Sequence, residues 1–506
     1  MSSSLTRWLD HSLPRGRFIV GLDRATLGYL GLPVLLWTWG WLHWAWAAVV
    51  TACMLAAGVA AFRQAGLADY GNRNRSSRDL GLPMWALVVV ALIGCLFSLY
   101  SGAGGFTFQN PDWDKHSAIL KDLIEAPWPV TYRIGDNDTP LVYYLAYYLP
   151  AGLVGKFAGW WWASFALLVW TTLGVCLALY WFVLLAQHRP VVSALFFVFA
   201  NGLDFVGQRL VSGEPMMPGV EHIDWWSGWV FLNFPGHLSQ LNWAPQHSLA
   251  AWLIIGSVAM QLPRRHSVCH LGILAAFAAY WSPFTVMGLA PFYLLALIRQ
   301  QGRGVFHWMN LAAIPVLLVG VLYFSSTTLS PPKGWWWEAH AVREEIGRFI
   351  FFHLLEWGVF YLFARELRRS EDPWLRWLFW CLPAVLISIS LYHFGVFNDS
   401  CMRVPIPALF LLWAGVARSL VQPPFNLESR ILVLLCLLGA LGALPETVRS
   451  WHPPTLNIVE AEERVHIPNL EEGINDQYLG SKEAFFFRYL ARGAEALPVT
   501  MTPANP

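Results

Sequence analysis

Residues 110–122 read NPDWDKHSAILKD and place Asp112, Asp114, Lys115 and His116 within five positions of a chain that is otherwise mostly apolar. A carboxylate can take a proton from a hydroxyl or hold a metal, and a lysine or neutral imidazole can hold an anion. A second polar stretch runs VSGEPMMPGVEHIDWWSGWVFLNFPGHLSQLNWAPQH from Val211 and carries Glu214, Glu221, His222, Asp224 and Trp225. Glu221, His222 and Asp224 are of the right types for a divalent ion, but their spacing matches no metal motif, so no metal ligand is assigned and a divalent cation is only a candidate cofactor. Gln246 and His247 fall where the chain enters an apolar run and need polar partners there, either as helix caps or lining a cavity. In FNDSCMRVPIPALF, Asp399 and Arg403 lie one helical turn apart, which suits a structural pair at a helix start. The planar fork of Arg403 also matches phosphate oxygens, and Lys333 in PPKGWWWEAH is a second phosphate candidate.

The elements that must position these groups are membrane helices. The chain of 506 residues is 56% hydrophobic and 13% charged, about half the charged share usual in soluble proteins. Apolar runs of about 20 residues recur between residues 25 and 446, each long enough to cross a bilayer. The expected fold is an all-α polytopic membrane protein of about 13 transmembrane helices. Residues 1–24 form a cytoplasmic segment without a secretory leader, because they are polar and carry four arginines. Residues 447–506 form a small outer tail. A net charge of +1 gives no footprint for nucleic acid, and the seven cysteines show neither a CxxC metal pattern nor a disulfide framework.

Arg-rich short loops stay cytoplasmic, and those at Arg73–Arg78, Arg264–Arg265, Arg299–Arg303 and Arg365–Arg376 set the orientation. Parity then holds only if residues 141–157, interrupted by Pro150, dip in and return or lie shallow. With that correction the loops 102–140, 207–246, 327–345 and 395–403 and the tail all face outward. Within the first loop, Asn110 is a natural cap and Pro111 suits a first helical position. Ile119, Leu120, Leu123 and Ile124 recur at helical spacing, so residues 111–126 read as an amphipathic helix on the outer membrane surface, ended by Pro127 and Pro129. Asp112 and Asp114 in its first turn also complement the helix dipole, the structural alternative to a chemical role. Many of the 30 tryptophans suit an interfacial belt, while loop clusters such as Trp225–Trp226 and Trp335–Trp337 suit packing against a sugar ring.

This arrangement resembles the GT-C superfamily of membrane glycosyltransferases. The likeness rests on PDWD at 111–114, then HSAILKDLIE, then DNDTPLVYYLAYYLP, and covers roughly residues 83–190. The resemblance implies a sugar donor linked to a polyprenyl phosphate, with transfer to a glycan, lipid or protein acceptor on the extracytoplasmic face. It implies that Asp114 or Asp112 is the catalytic base or a metal-coordinating group, and that the anomeric configuration is inverted. Arg403 and Lys333 then face the phosphate. His116, Lys115, Glu221, His222, Asp224, Gln246, His247, Asp399 and Trp225 complete the expected binding set. Two features depart from the family: the acids are DWD rather than adjacent, and the tail is too small for a folded outer domain. The competing readings are a lipid-linked polysaccharide ligase or polymerase, and a lipid or solute transporter; for the latter, Asp204 and Glu356 are the few acids inside apolar stretches and they form no obvious relay. A bacterial cytoplasmic membrane is the expected location.

Overall fold

The structure, a computed structural model, describes residues 12–67, 82–212, 231–265, 268–339, 342–421, 427–451, 461–470 and 475–499. The described chain is mostly helical. Among the described residues, seven helices are long and apolar enough to cross a membrane: Arg15–Trp41, Trp44–Ala65, Trp160–Ala186, Pro190–Val211, Glu345–Phe363, Pro373–Ser390 and Asp399–Leu420. The pair Leu427–Ala440 and Leu444–Ser450, bent by 46° at its break, raises that number to eight if taken as one span. The expected thirteen are therefore not found among the described residues.

The shortfall has a local cause. Four apolar helices, Met84–Leu99, Leu271–Trp281, Pro283–Arg299 and Trp308–Phe324, have 17 residues or fewer, short of the roughly 20 that span a bilayer. Two of them divide at Ser282–Pro283, where Ser282 Oγ accepts the Thr285 amide and begins a new helix. The 21-residue helix Pro245–Arg265 is long enough, but Gln246, His247, Ser248, Ser257 and Gln261 make it too polar. It is the buried centre of the bundle, packed against Trp160–Ala186, Ile406–Val421 and Pro283–Arg299. Residues 249–262 are buried throughout, so its polar groups face protein.

Two boundaries move. The first helix begins at Arg15, so residues 15–24 belong to the bundle instead of to a polar N-terminal segment. Residues 141–148 are irregular and lead into Leu149–Ala158, a helix of ten residues. At about 1.5 Å per residue it reaches roughly 15 Å, half the hydrocarbon thickness. Gly159, with φ of 86°, turns the chain back into Trp160–Ala186.

The Asp112–Glu125 helix is not a surface helix. Trp113 and every residue from His116 to Leu123 are buried, Lys121 and Asp122 included. Its polar face is covered by the C-terminal tail, which threads back over the loops instead of standing apart as a cap. Within the tail, Leu497–Pro498 joins the hairpin Thr131–Ile134 and Asn137–Pro140 as a parallel third strand. Isolated bridges join Leu479 to Leu141 and Gly480 to Thr327. A second small ladder pairs Lys333–Trp335 with Tyr392–Phe394. The described parts of the loops 102–140 and 327–345 thus meet the tail in one assembly.

Candidate functional site

Asn110 organises the start of the site. Its Oδ1 accepts the Asp112 amide at 3.1 Å, so the helix starts at Asp112, while its Nδ2 donates to the Asn242 carbonyl at 2.9 Å. Trp113 Nε1 donates to the same carbonyl at 3.0 Å. These bonds fasten the first turn of Asp112–Glu125 to the short helix His237–Trp243. That helix is held in turn by Glu446, which accepts from Trp243 Nε1 at 2.8 Å and from Asn242 Nδ2 at 3.3 Å.

The turn aims its two carboxylates in different directions. Asp112 takes Lys115 Nζ at 2.6 Å, with a third of its side chain exposed. Burial pushes its carboxyl up, but the charge and hydrogen bond of Lys115, with His116 and Arg403 nearby, outweigh that and hold it below the usual range. Asp114 is 69% exposed and points to the tail, where Arg464 Nη1 stands at 3.4 Å. The other arm of Arg464 donates to Gln109 Oε1 at 2.8 Å. Of the two acids, only Asp112 faces the other charged candidates.

His116 is fully buried. Its Nε2 faces the Trp243 carbonyl at 3.2 Å and must carry the proton, because a carbonyl only accepts. Its Nδ1 therefore accepts from the Tyr148 hydroxyl at 2.5 Å. Burial, and after it the Lys115 charge, hold the imidazole down to about 3, so it stays neutral at physiological pH. Burial likewise pushes the Tyr148 phenol well up. This pair is a fixed hydrogen-bonded wall.

Arg403 supplies the second cation. Its Nη1 pairs with Asp399 Oδ1 at 2.5 Å, and its guanidinium lies over the Phe284 ring at 5.5 Å. Gly395, with φ of 93°, makes room, since a Cβ there would sit 1.9 Å from Asp399 Oδ2. His247 and Gln246 enter from the central helix. His247 Nδ1 bonds Ser282 Oγ at 2.6 Å, and Gln246 Nε2 donates to the Tyr143 hydroxyl at 3.3 Å. Both side chains are at least 99% buried, yet His247 Nε2 and Gln246 Oε1 find no partner among the described residues.

The rings that the described residues place beside these charges are tyrosines; the Trp225–Trp226 cluster lies outside the described residues. Tyr143 lies 3.9 Å from Tyr144, Tyr144 meets His247 edge to face at 5.0 Å, and Tyr478 of the tail closes on Tyr143 at 4.9 Å. Tyr478 was not a sequence candidate: it lies 330 residues downstream, in a stretch with no chemical motif. The signal that was present is YYLAYY itself.

The structure therefore brings together Asp112, Lys115, His116, Gln246, His247, Asp399 and Arg403. Lys333 stands exposed on the neighbouring ladder, opposite Phe394, and among the described residues no ion pair joins it to the cluster. Glu221, His222, Asp224 and Trp225 lie outside the described residues. Among the described residues, no three His, Cys, Asp or Glu side chains gather as metal ligands. The donors near Asp112 do not fit a cation either, since Lys115 sits on that carboxylate and both His116 nitrogens are engaged.

A separate polar group lies further along the same helix. Asp122, fully buried, accepts from the Tyr132 hydroxyl at 2.6 Å, His466 Nδ1 at 2.5 Å and the Ile467 amide at 3.0 Å. Lys121 Nζ donates to the Arg464 carbonyl at 2.7 Å. These bonds hold the tail, and through it Tyr478 and Arg464, against the helix.

Comparison with known proteins returns nothing: no protein-family model matches the chain, and neither a curated protein nor a solved structure matches it significantly.

Proposed function

We propose that this chain is a membrane glycosyltransferase that moves a sugar from a polyprenyl-phosphate-linked donor to a hydroxyl acceptor. The observation that carries the reading is the cluster itself. Two cations, Lys115 and Arg403, each neutralised by its own carboxylate, share a tyrosine-walled site with the unpartnered polar atoms of Gln246 and His247. A lipid phosphate offers oxygens to both cations and to His247 Nε2 when that atom is protonated. A sugar offers hydroxyls to Gln246 and a ring face to Tyr144. The apolar helices solvate the polyprenyl chain, and the Arg-rich short loops orient the site to the extracytoplasmic face of a bacterial cytoplasmic membrane.

In the proposed reaction the acceptor oxygen bonds to the sugar C1 as its proton passes to the Asp112 carboxylate. The bond from C1 to the phosphate oxygen breaks, and the lipid phosphate leaves with the electron pair. Lys115 and Arg403 receive the charge that grows on it. Direct displacement inverts the anomeric centre. Paired with Lys115, Asp112 is a weak base; as Lys115 swings to the departing phosphate, the carboxylate gains basicity when the proton must move.

The test is native mass spectrometry of the full chain in mild detergent, loaded with a polyprenyl phosphate of defined length. Wild type and Asp112→Asn should retain the lipid and Arg403→Ala should lose it. With membrane extract as the source of sugar donor and acceptor, Asp112→Asn should fail to transfer. Equal retention by wild type and Arg403→Ala would overturn the donor site.

One observation favours a transporter instead. The Pro190–Val211 span is interrupted just before Asp204, and Glu345–Phe363 contains a π-helical turn at Leu354–Gly358 that holds Glu356. The breaks adjoin, with the Leu203 amide donating to the Leu355 carbonyl at 3.2 Å, and both acids are at least 99% buried. Paired broken helices with buried acids are a transporter feature. Proton-coupled uptake into vesicles that is lost in Asp204→Asn, with no sugar transfer by wild type, would establish that reading.

A further inference from the structure

A cleft of about 590 Å³ opens between the C-terminal half of Trp44–Leu67 and the start of Trp308–Phe324. It is separate from the Asp112–Arg403 cluster and is graded along its length. At one end Leu55 and Val59 present apolar side chains that are 54% and 45% exposed. At the other end stand Arg63 and His307, with Trp308 half exposed at the mouth. The floor is rigid: Gln64 Nε2 donates to Met309 Sδ at 3.4 Å and its Oε1 accepts from Cys269 Sγ at 3.3 Å.

The polar end is cationic beyond Arg63. Arg24, outside the cleft lining, donates from Nε to the Phe62 carbonyl at 3.2 Å with its guanidinium 4.5 Å from the Phe62 ring. Arg303, exposed, begins the turn that leads to His307, and its carbonyl accepts the Val268 amide beside Cys269. Phe306, 85% exposed, and Trp308 are the ring types that seat at the boundary between headgroups and chains. An apolar slot ending in arginines at that boundary is complementary to one class of molecule, an amphiphile with an anionic head.

We infer that this cleft binds an anionic glycerophospholipid, its phosphate on Arg63 and its upper acyl chain along Leu55 and Val59. Charge on basic residues near a membrane surface attracts anionic headgroups, and each arginine contributes about a fivefold preference. A zwitterionic lipid of the same chains meets the same slot without that gain. The site does not depend on the transfer reaction proposed above.

The experiment uses the full chain in detergent with phosphatidylglycerol and phosphatidylcholine of identical chains, competed in native mass spectra. Wild type should retain phosphatidylglycerol about fivefold or more over phosphatidylcholine. Arg63→Ala should lower the preference about fivefold, Arg63→Lys should keep most of the preference, and Val59→Trp should remove the adduct by filling the slot. A phosphatidylglycerol carrying a photoreactive chain should label the peptide containing Leu55 to Gln64 in wild type, a readout that needs no variant. Equal retention of the two lipids by wild type, an unchanged preference in Arg63→Ala, or labelling confined to other peptides would each overturn the site. Arg403→Ala should leave the preference intact, which separates this site from the donor site.

Discussion

Asp112 and Asp122 lie ten residues apart on one helix, and their surroundings are opposite. Asp122 is fully buried and takes three donors, from Tyr132, His466 and the Ile467 amide. Asp112 is a third exposed, takes Lys115 alone, and stands near Arg403 and the partly unpartnered pair Gln246 and His247. A buried carboxylate with its acceptor sites filled is committed to structure, whereas one held by a single mobile cation can exchange that partner. Burial therefore does not mark the reactive acid. Asn substitution at Asp112 and Ala substitution at Asp122 separate the two cases. Asp112→Asn should cut sugar transfer by about 10²–10⁴-fold while thermal stability in detergent changes by no more than about 1 kcal/mol. Asp122→Ala strands two buried donors and the part-buried His466 and should cost about 3–5 kcal/mol, with the tail becoming susceptible to limited proteolysis. A stable Asp122→Ala protein with an intact tail would remove the distinction.

Gly395 tests how tightly the second cation is held. Alanine there must adopt a left-handed backbone and displace the Asp399 carboxylate, which would otherwise lie 1.9 Å from the new Cβ. The strain should cost about 1–3 kcal/mol and loosen Arg403, so retention of a polyprenyl phosphate should fall with stability. Full retention in Gly395→Ala would mean that the Arg403–Asp399 geometry is not what holds the lipid.

His116 sharpens the comparison through pH. Its imidazole titrates near 6.5 when unfolded and near 3 in the folded chain, so between those values the unfolded state alone binds the proton. Stability must then fall as pH drops from 6.5 toward 3, by up to about 1.4 kcal/mol for each pH unit from this residue. Melting temperatures measured across that range should decline less steeply for His116→Gln than for wild type. Parallel declines would place the proton-linked loss elsewhere.

How much of this was legible in the sequence depends on the range of the interaction that decides each feature. NPDWDK announced a helix start, because capping is local, and the helix does begin within two residues of Asn110. FNDSCMR announced a pair, and Asp399 and Arg403 are paired for the same reason. What covers the Asp112–Glu125 helix was not legible: Ile467 and His466 arrive from about 345 residues away, and only with them in place does an amphipathic helix become a buried one. The number of spans was overcounted because apolar composition persists through Ser282–Pro283, where capping ends one helix and starts another. Gln246 and His247 were suspect because polar atoms inside an apolar run need partners, a rule that names the residues but not the neighbours. Lys333 shows the complementary limit. Its cationic type fitted the chemistry, but its place on an exposed strand was set by pairing with Tyr392–Phe394.

The smallest expected effect falls on the acid closest in sequence to the proposed base. Asp114 is 69% exposed, and its one ion pair among the described residues, with Arg464, is long at 3.4 Å. An exposed pair of that kind contributes at most a few tenths of a kcal/mol, and Arg464 keeps its bond to Gln109 without it. Asp114→Asn should therefore change stability by under about 0.5 kcal/mol. Transfer should fall less than about threefold, since the carboxylate points at the tail and away from Lys115 and Arg403. Matched kinetics of Asp112→Asn and Asp114→Asn against one acceptor decide the point. If Asp114→Asn carries the larger loss, the acceptor enters along the tail beside Arg464, and the base must be placed on the exposed side of the helix.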